Sequence, residues 1–295
     1  MKKIFTKSLI ITLAISTIVL VGGCTKKSTG NESDTSNKTA TESTENNKET
    51  VNTNDSESTE AKTKLVLGTS ADYPPYEFFA TVDGKETIVG FDIDIAKEIA
   101  KDMGMELEIK DITFEGLLGA LASDKVDIVI AGMTPTEKRK ESADFSKIYY
   151  NATHGVVMKK EAATQVKSLG DLNGKVIGVQ QGSIQADMVH EKVTNAKEIK
   201  EVPKITDLIL MLQTGKVDAV VMEKPVAESY SKTNSSIALT SIEVSDEAGG
   251  SAVAIKKGNI ELVKKVDETI DRLLKEGKID EFLIEANKLA DEQKK

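Results

Sequence analysis

From residue 64 to the end of the chain, apolar segments of strand length alternate with stretches of helical length. The short segments predict strands over 64–68, 106–110, 128–131, 155–158, 176–179, 219–222 and 252–255. The longer stretches predict helices over 91–103, 114–123, 183–192, 204–214, 225–231, 260–276 and 279–290. Such alternation argues for an α/β fold with largely parallel sheets.

Within this pattern, residues 117–130 can be laid over residues 208–221 without a gap. Each stretch reads as a helix, a polar turn, the triplet Lys-Val-Asp (Lys125-Val126-Asp127 and Lys216-Val217-Asp218) and an apolar strand. Two such units suggest two lobes of similar construction, although any pair of helix-turn-strand units has some likeness. In a true repeat Gly132 and Glu223 stand at equivalent places, just past a strand's carboxyl end, where open α/β sheets gather ligands.

The first 62 residues follow different rules. Lys2, Lys3 and Lys7 precede an uncharged, mostly apolar run from Ser8 to Val21, which has the length of a secretory h-region and falls short of the ~20 residues of a spanning helix. It stops at Gly22-Gly23-Cys24, and Cys24 is the only cysteine. This arrangement resembles the lipobox of bacterial lipoproteins. That resemblance implies a signal peptide over 1–23, cleavage after Gly23, and acyl chains such as palmitate anchoring Cys24 to the outer face of the cell membrane. An ordinary signal peptide with a stray thiol is the plainer alternative. Two acyl chains hold a protein on a membrane where one binds only marginally.

Residues 24–62 are rich in Ser, Thr, Asn and Glu and contain no aromatic residue, so they cannot bury enough surface to offset their ordering entropy. They read as a solvated leash. Loss of Lys2, Lys3 and Lys7 takes the formal charge from −9 to −12. Nucleic acid is an improbable partner for so acidic a chain, because phosphate surfaces need a basic patch.

The segment Gly90-Phe91-Asp92-Ile93-Asp94 opens a helix with apolar residues at 91, 95 and 99 on one face. Asp92 and Asp94 fall in its first turn, where carboxylates favour the helix dipole, and they read as structural acids. This Gly-aromatic-acid-apolar-acid run resembles the signature of the family 3 solute-binding proteins, the polar amino-acid receptors of ABC importers. The likeness continues through residues 68–78, 131–139, 181–183 and 217–225, so it covers about residue 63 to the end.

The resemblance implies a two-lobed, type II periplasmic-binding-protein fold, with two mixed sheets flanked by helices and a hinge of two crossing strands. Lobe one would take residues 63–153 and 250–295, and lobe two residues 154–249, with crossings near Gly155 and Gly249-Gly250. It also implies a free L-amino acid as ligand, a membrane-embedded ABC permease as partner, no cofactor, and a monomer.

The residues agree with this reading. Arg139 and Arg272 are the only arginines beside 37 lysines, and Arg139 follows Thr134-Pro135-Thr136. A planar guanidinium suits a bidentate α-carboxylate, with Gly132, Thr134 and Ser183 adding backbone and hydroxyl donors. Glu223 would meet the α-ammonium, although the family usually has Asp there, and its longer side chain would need the backbone to sit farther back. Tyr73 and Phe114 match the family's two aromatic walls, Ala131 opens one matching stretch, and Gln180 and Ile184 flank another. Ser70 stands where some basic-amino-acid receptors carry Asp, so Asp72 and Glu77 become the nearby acids for a cationic tip. Arginine or lysine is the leading ligand, and glutamine or another polar amino acid the next.

Catalysis finds less support. His154 and His190 are the only histidines, no metal-binding histidine pair is present, and no phosphate loop or nucleophile elbow occurs. His190 reads as a surface residue, and His154 as lying near the cleft. A dehydratase acting on small carboxylates is the enzymatic alternative on this fold, and a sensor working through a separate partner is the other.

Overall fold

The computed structural model of the chain describes residues 63–151, 153–245 and 249–293. The signal-peptide, Cys24 and leash readings therefore lie outside the described residues.

In chain order the first half contains β1 (Lys64–Thr69), β2 (Asp72–Tyr73), β3 (Glu77–Val82), β4 (Lys85–Val89), α1 (Phe91–Asp102), β5 (Glu106–Asp111), α2 (Leu117–Ala122), β6 (Ile128–Val129), α3 (Glu137–Lys140) and β7 (Ala143–Tyr150). There follow β8 (Thr153–Lys159), α4 (Lys160–Ala163), β9 (Val176–Gln180), α5 (Ile184–Lys192), β10 (Glu198–Val202), α6 (Ile205–Gln213), β11 (Ala219–Glu223), α7 (Lys224–Thr233), β12 (Ile237–Ser245), β13 (Ser251–Lys256), α8 (Ile260–Lys275) and α9 (Lys278–Glu292).

Two five-stranded sheets, ordered β5-β1-β6-β13-β7 and β10-β9-β11-β8-β12, carry the fold, with β2-β3-β4 as a small third sheet. Each large sheet has two parallel and two antiparallel pairings, so both are mixed rather than largely parallel. Pattern alone misses β7 and β12, because their buried and exposed positions alternate only loosely. The antiparallel character comes from β13 and β8, each of which runs against both of its neighbours. The chain passes between the large sheets from β7 to β8 and from β12 to β13.

The internal repeat is physical. Asp127 and Asp218 each accept the backbone N–H of a neighbouring strand's residue, Val66 and Val176, at 2.8 Å in both cases. Each also returns its own N–H to the carbonyl of that residue at 2.7 Å. The Lys-Val-Asp triplet thus sews the turn after a helix to the next strand, once in each large sheet.

The helices are held by ordinary means. α8 buries Val266, Ile270 and Leu273 and leaves its charged face outward. Arg272 on that helix reaches Glu98 and Asp102 of α1, both at 2.7 Å, which makes it a clamp between helices. α1 has no side-chain cap. Its first N–H groups, on Phe91 and Asp92, donate instead to the carbonyls of Pro75 and Tyr76 at 3.1 Å. That bond fixes the 73–76 loop to the helix and requires close approach at Gly90, where φ is +131° and a Cβ would lie 2.0 Å from the Tyr76 carbonyl oxygen.

Gly90→Ala therefore forces the 73–76 loop away from α1. A loss of more than about 2 kcal/mol is expected from the disfavoured φ and the clash together. Urea unfolding measures it, and a midpoint within error of the parent would show that the loop does not depend on this contact.

Candidate functional site

The cavity between the two large sheets is built from strand ends. From the first sheet, the segment after β6 brings Ala131, Gly132 and Thr134, while Tyr73 comes from β2 and Phe114 from a turn of 3-10 helix before α2. From the second, β9 ends at Gln180, Ser183 caps α5, Ile184 and Gln185 begin it, and Glu223 ends β11. Together with Arg139 these residues enclose a cavity of only about 10 Å³, so the walls stand nearly in contact and have to part to admit a molecule larger than water.

Arg139 is set from both sides. Thr136 caps α3 and accepts the Arg139 backbone N–H at 3.2 Å. The guanidinium donates to the Thr134 carbonyl at 2.8 Å and to the Gly182 carbonyl, across the cavity, at 3.0 Å. Its carbon stands 5.2 Å from the centre of the Phe114 ring, within cation-π range. Two carbonyls and an aromatic face thus aim a planar cation whose shape suits a planar anion.

Glu223 is the cavity's anion. Its longer side chain reaches the turn between β2 and β3, where Oε2 accepts a hydrogen bond from the Tyr76 hydroxyl. Its backbone N–H donates to the Tyr73 hydroxyl oxygen at 3.1 Å. The extra methylene is used to reach Tyr76.

Ten of the twelve residues named from the sequence line the cavity, and Ser70 and Glu77 do not. Ser70 instead donates to Asp72 at 3.3 Å. Asp72 also stays off the cavity wall, because its Oδ2 takes the N–H of Ile205 at the start of α6, at 2.6 Å, and its carbonyl takes the Tyr230 hydroxyl at 2.9 Å. It joins the small sheet to α6 and α7 rather than lining the cavity. Glu77, 1 % exposed, faces Asp92, which is fully buried.

Asp92 does more than favour a helix dipole. Its Oδ2 accepts the Gly132 N–H at 2.8 Å and the Tyr149 hydroxyl at 2.9 Å, so it holds the backbone of the cavity wall. Burial, and then the charge of Asp92, push the Glu77 carboxyl well above its usual range. Burial also lifts Asp92 to about 7, against the opposing hydrogen bonds from Gly132, Tyr149 and Glu77. Glu77 Oε2 and Asp92 Oδ1 are buried without a conventional donor, and a proton kept on Glu77 and shared with Asp92 satisfies both.

Tyr76 and Gln185 escaped sequence reading. Tyr76 sits in the quoted 68–78 stretch, and its two-residue offset from Pro74 gave no sign that its hydroxyl would cross to Glu223. Gln185 follows Ser183 by two positions in the first turn of α5, which is the signal that could have found it.

Residues 65–285 match the family profile of bacterial extracellular solute-binding proteins, family 3. The arginine-binding extracellular protein ArtP of Bacillus subtilis is 40% identical over 223 residues, covering 75% of this chain and 85% of that protein. The ABC transporter glutamine-binding protein GlnH of the same organism is 30% identical over 287 residues, 96% of each. Among solved structures, the amino-acid ABC transporter substrate-binding protein AbpA of Streptococcus pneumoniae, bound to L-arginine, superposes with a TM-score of 0.75 at 37% identity, covering 77% of this chain and 96% of that one.

A buried carboxyl with a raised pKa binds more protons folded than unfolded, so stability falls as pH rises through the folded value. Burial lifts Asp72 to about 6 in the same direction as Asp92. Exposed acids held low by cations, such as Glu98 by Lys101 and Asp144 by Lys257, release their contribution only below about pH 4. The urea midpoint should therefore rise on acidification from about pH 7.5 to about pH 5, by the equivalent of about 2 kcal/mol. Asp92→Asn should flatten part of that rise, and a midpoint that falls steadily over the same window would contradict the assignment.

Proposed function

Because the chain belongs to the bacterial extracellular solute-binding proteins of family 3, we propose that it captures a free L-amino acid, arginine ahead of glutamine, and delivers it to an ABC importer. The observation that carries the reading is the charge pattern of the cavity, which is lined by one cation, Arg139, and one anion, Glu223. An α-amino acid is the zwitterion such a pair would hold, with its carboxylate on the guanidinium and its ammonium on the carboxylate.

Tyr73 and Phe114 give the walls for an extended side chain, and the amides of Gln180 and Gln185 give polar contacts. A basic side chain ranks first for an electrostatic reason. Among the described residues no second cation lines the cavity. The named relatives are binding proteins for arginine and glutamine, which supports transport over catalysis.

In this reading residues 63–153 with 250–295 act as one lobe and residues 154–249 as the other, closing on the ligand because contacts from both exist only in the closed form. A lipid on Cys24 and the 24–62 leash would keep the receptor beside its permease, on the outer face of the membrane. Cys24→Ala is then expected to move the protein from the membrane fraction into the medium.

Calorimetry with a panel of amino acids tests the ligand. Arginine is expected to bind with the highest affinity, and Arg139→Ala and Glu223→Gln should each weaken it by about a hundredfold or more, the size of a broken buried charge pair. Tight glutamine binding without arginine or lysine binding would remove the basic-ligand ranking. Absence of binding to any amino acid would remove the receptor itself.

A further inference from the structure

His154 and Gln185 make a contact that the charge pattern leaves unexplained. His154 lies in β8, opposite Glu223 of β11, and is 4 % exposed. Its Nδ1 is 3.2 Å from Nε2 of Gln185. Gln185 lines the cavity and His154 does not. The histidine therefore stands behind the wall, holding one end of a side chain that faces the ligand.

A ring nitrogen without a proton accepts, whereas both nitrogens of an imidazolium donate. A carboxamide has one donating and one accepting end, so the end taken by the ring decides which end remains for the cavity. We infer that His154 is a positioning residue that sets the polarity of the Gln185 amide and, through it, the preference of the cavity for a donor-rich or an acceptor-rich side chain. With the ring neutral, Nδ1 accepts from Gln185 Nε2, and Oε1 is the end offered to a guanidinium or ammonium. On protonation Nδ1–H donates to Oε1, the amide turns over, and its NH2 group meets the ligand. A cationic tip then loses an acceptor and gains a positive neighbour, while a neutral tip bearing a carbonyl gains a donor.

Three elements among the described residues bring side chains to the ring. Glu223 faces it from β11 and favours the imidazolium, and burial disfavours it. On β12 its partner is the apolar Val244, and the adjacent Glu243 is paired with Lys224 at the start of α7 at 2.8 Å. α5 contributes Gln185 itself. Asp72 and Asp92 titrate in the same region, but they act on closure and on the Gly132 backbone, so they alter affinity for any ligand rather than the choice between two.

The inference rests on the amino-acid reading of the same cavity, and the ratio of two affinities separates the two claims. Arginine and citrulline, its neutral isostere, are titrated by calorimetry at about pH 8 and about pH 5.5, a range that spans histidine protonation. In the parent protein the arginine-to-citrulline affinity ratio is expected to fall about tenfold or more on acidification, the size of one charge-assisted hydrogen bond. His154→Asn, whose amide oxygen can replace Nδ1 but does not titrate, should keep arginine binding at the higher pH and hold the ratio level. Gln185→Leu should also give a level ratio. Equal slopes in the parent and His154→Asn would overturn the proposal. Nitrogen NMR of the His154 ring gives a reading that needs no ligand. At the higher pH Nδ1 should be unprotonated, and a neutral ring protonated at Nδ1 would overturn the assignment. If neither ligand binds at any pH, the amino-acid reading falls and the NMR result alone decides for or against the role of His154.

Discussion

Four carboxyls, Asp72, Glu77, Asp92 and Glu223, are buried around the place where the two large sheets meet. Burying an ionised carboxylate is costly unless it is paired and hydrogen-bonded, and the usual alternative is to keep the proton. The chain uses both. Glu77 holds its proton against Asp92, while hydroxyls serve the others: Tyr76 on Glu223, Tyr149 on Asp92 and Tyr230 on the Asp72 backbone. With Tyr73 on the Glu223 N–H, four of the chain's five tyrosines give their hydroxyls to this seam. The fifth, Tyr150, packs edge-on against Tyr76 and Phe91. Tyrosine fits because its ring fills the apolar space while its tip meets a polar partner.

The cavity inherits its shape from that seam. Gly132 is held by Asp92, Glu223 by Tyr76, and Arg139 by the carbonyls of Thr134 and Gly182. Cavity-facing groups are therefore aimed by bonds from their neighbours, which is what a preorganised site requires. Other bonds tie α6 to β2 and β5, among them Asp72 to the Ile205 N–H and Lys204 to Asp111 at 3.3 Å. The setting of the cavity walls consequently rests on the protein's own contacts.

Periodicity showed the longer helices and the central strands well, because α1, α6 and α8 place apolar residues on one face and β9 and β11 are free of polar side chains up to their last residue. It failed at the two-residue β2 and at β3, β4, β7, β10 and β12, whose mixed burial gives no clean alternation. The site divided in the same way. Residues quoted in motifs beside strand ends, such as Gly132, Thr134 and Ser183, fell on the cavity wall, because a strand's end fixes where its next residues point. Ser70 and Glu77 were displaced because their position depends on partners distant in sequence: Glu77 turns to Asp92, and Ser70 to an Asp72 that is itself drawn to Ile205. Such long-range acid placements leave no local signal.

Glu223 shows how one side chain can serve both closure and recognition. A carboxylate has two oxygens and about four acceptor sites. Tyr76 uses one site of Oε2, and the hydroxyl comes from the turn between β2 and β3. An ammonium brought to the same carboxylate would share its charge density with that hydroxyl. Withdrawal of density by the tyrosine would weaken each ammonium hydrogen bond a little, but the tyrosine also restrains the rotamer, so a ligand would not have to order a side chain of five heavy atoms that could otherwise rotate. An aspartate at the end of β11 would be one methylene shorter and farther from Tyr76, and its orientation would fall to the ligand and to nearby backbone groups. Glutamate at this position would thus tie ammonium binding to the contact between β11 and the turn after β2 through a single carboxylate.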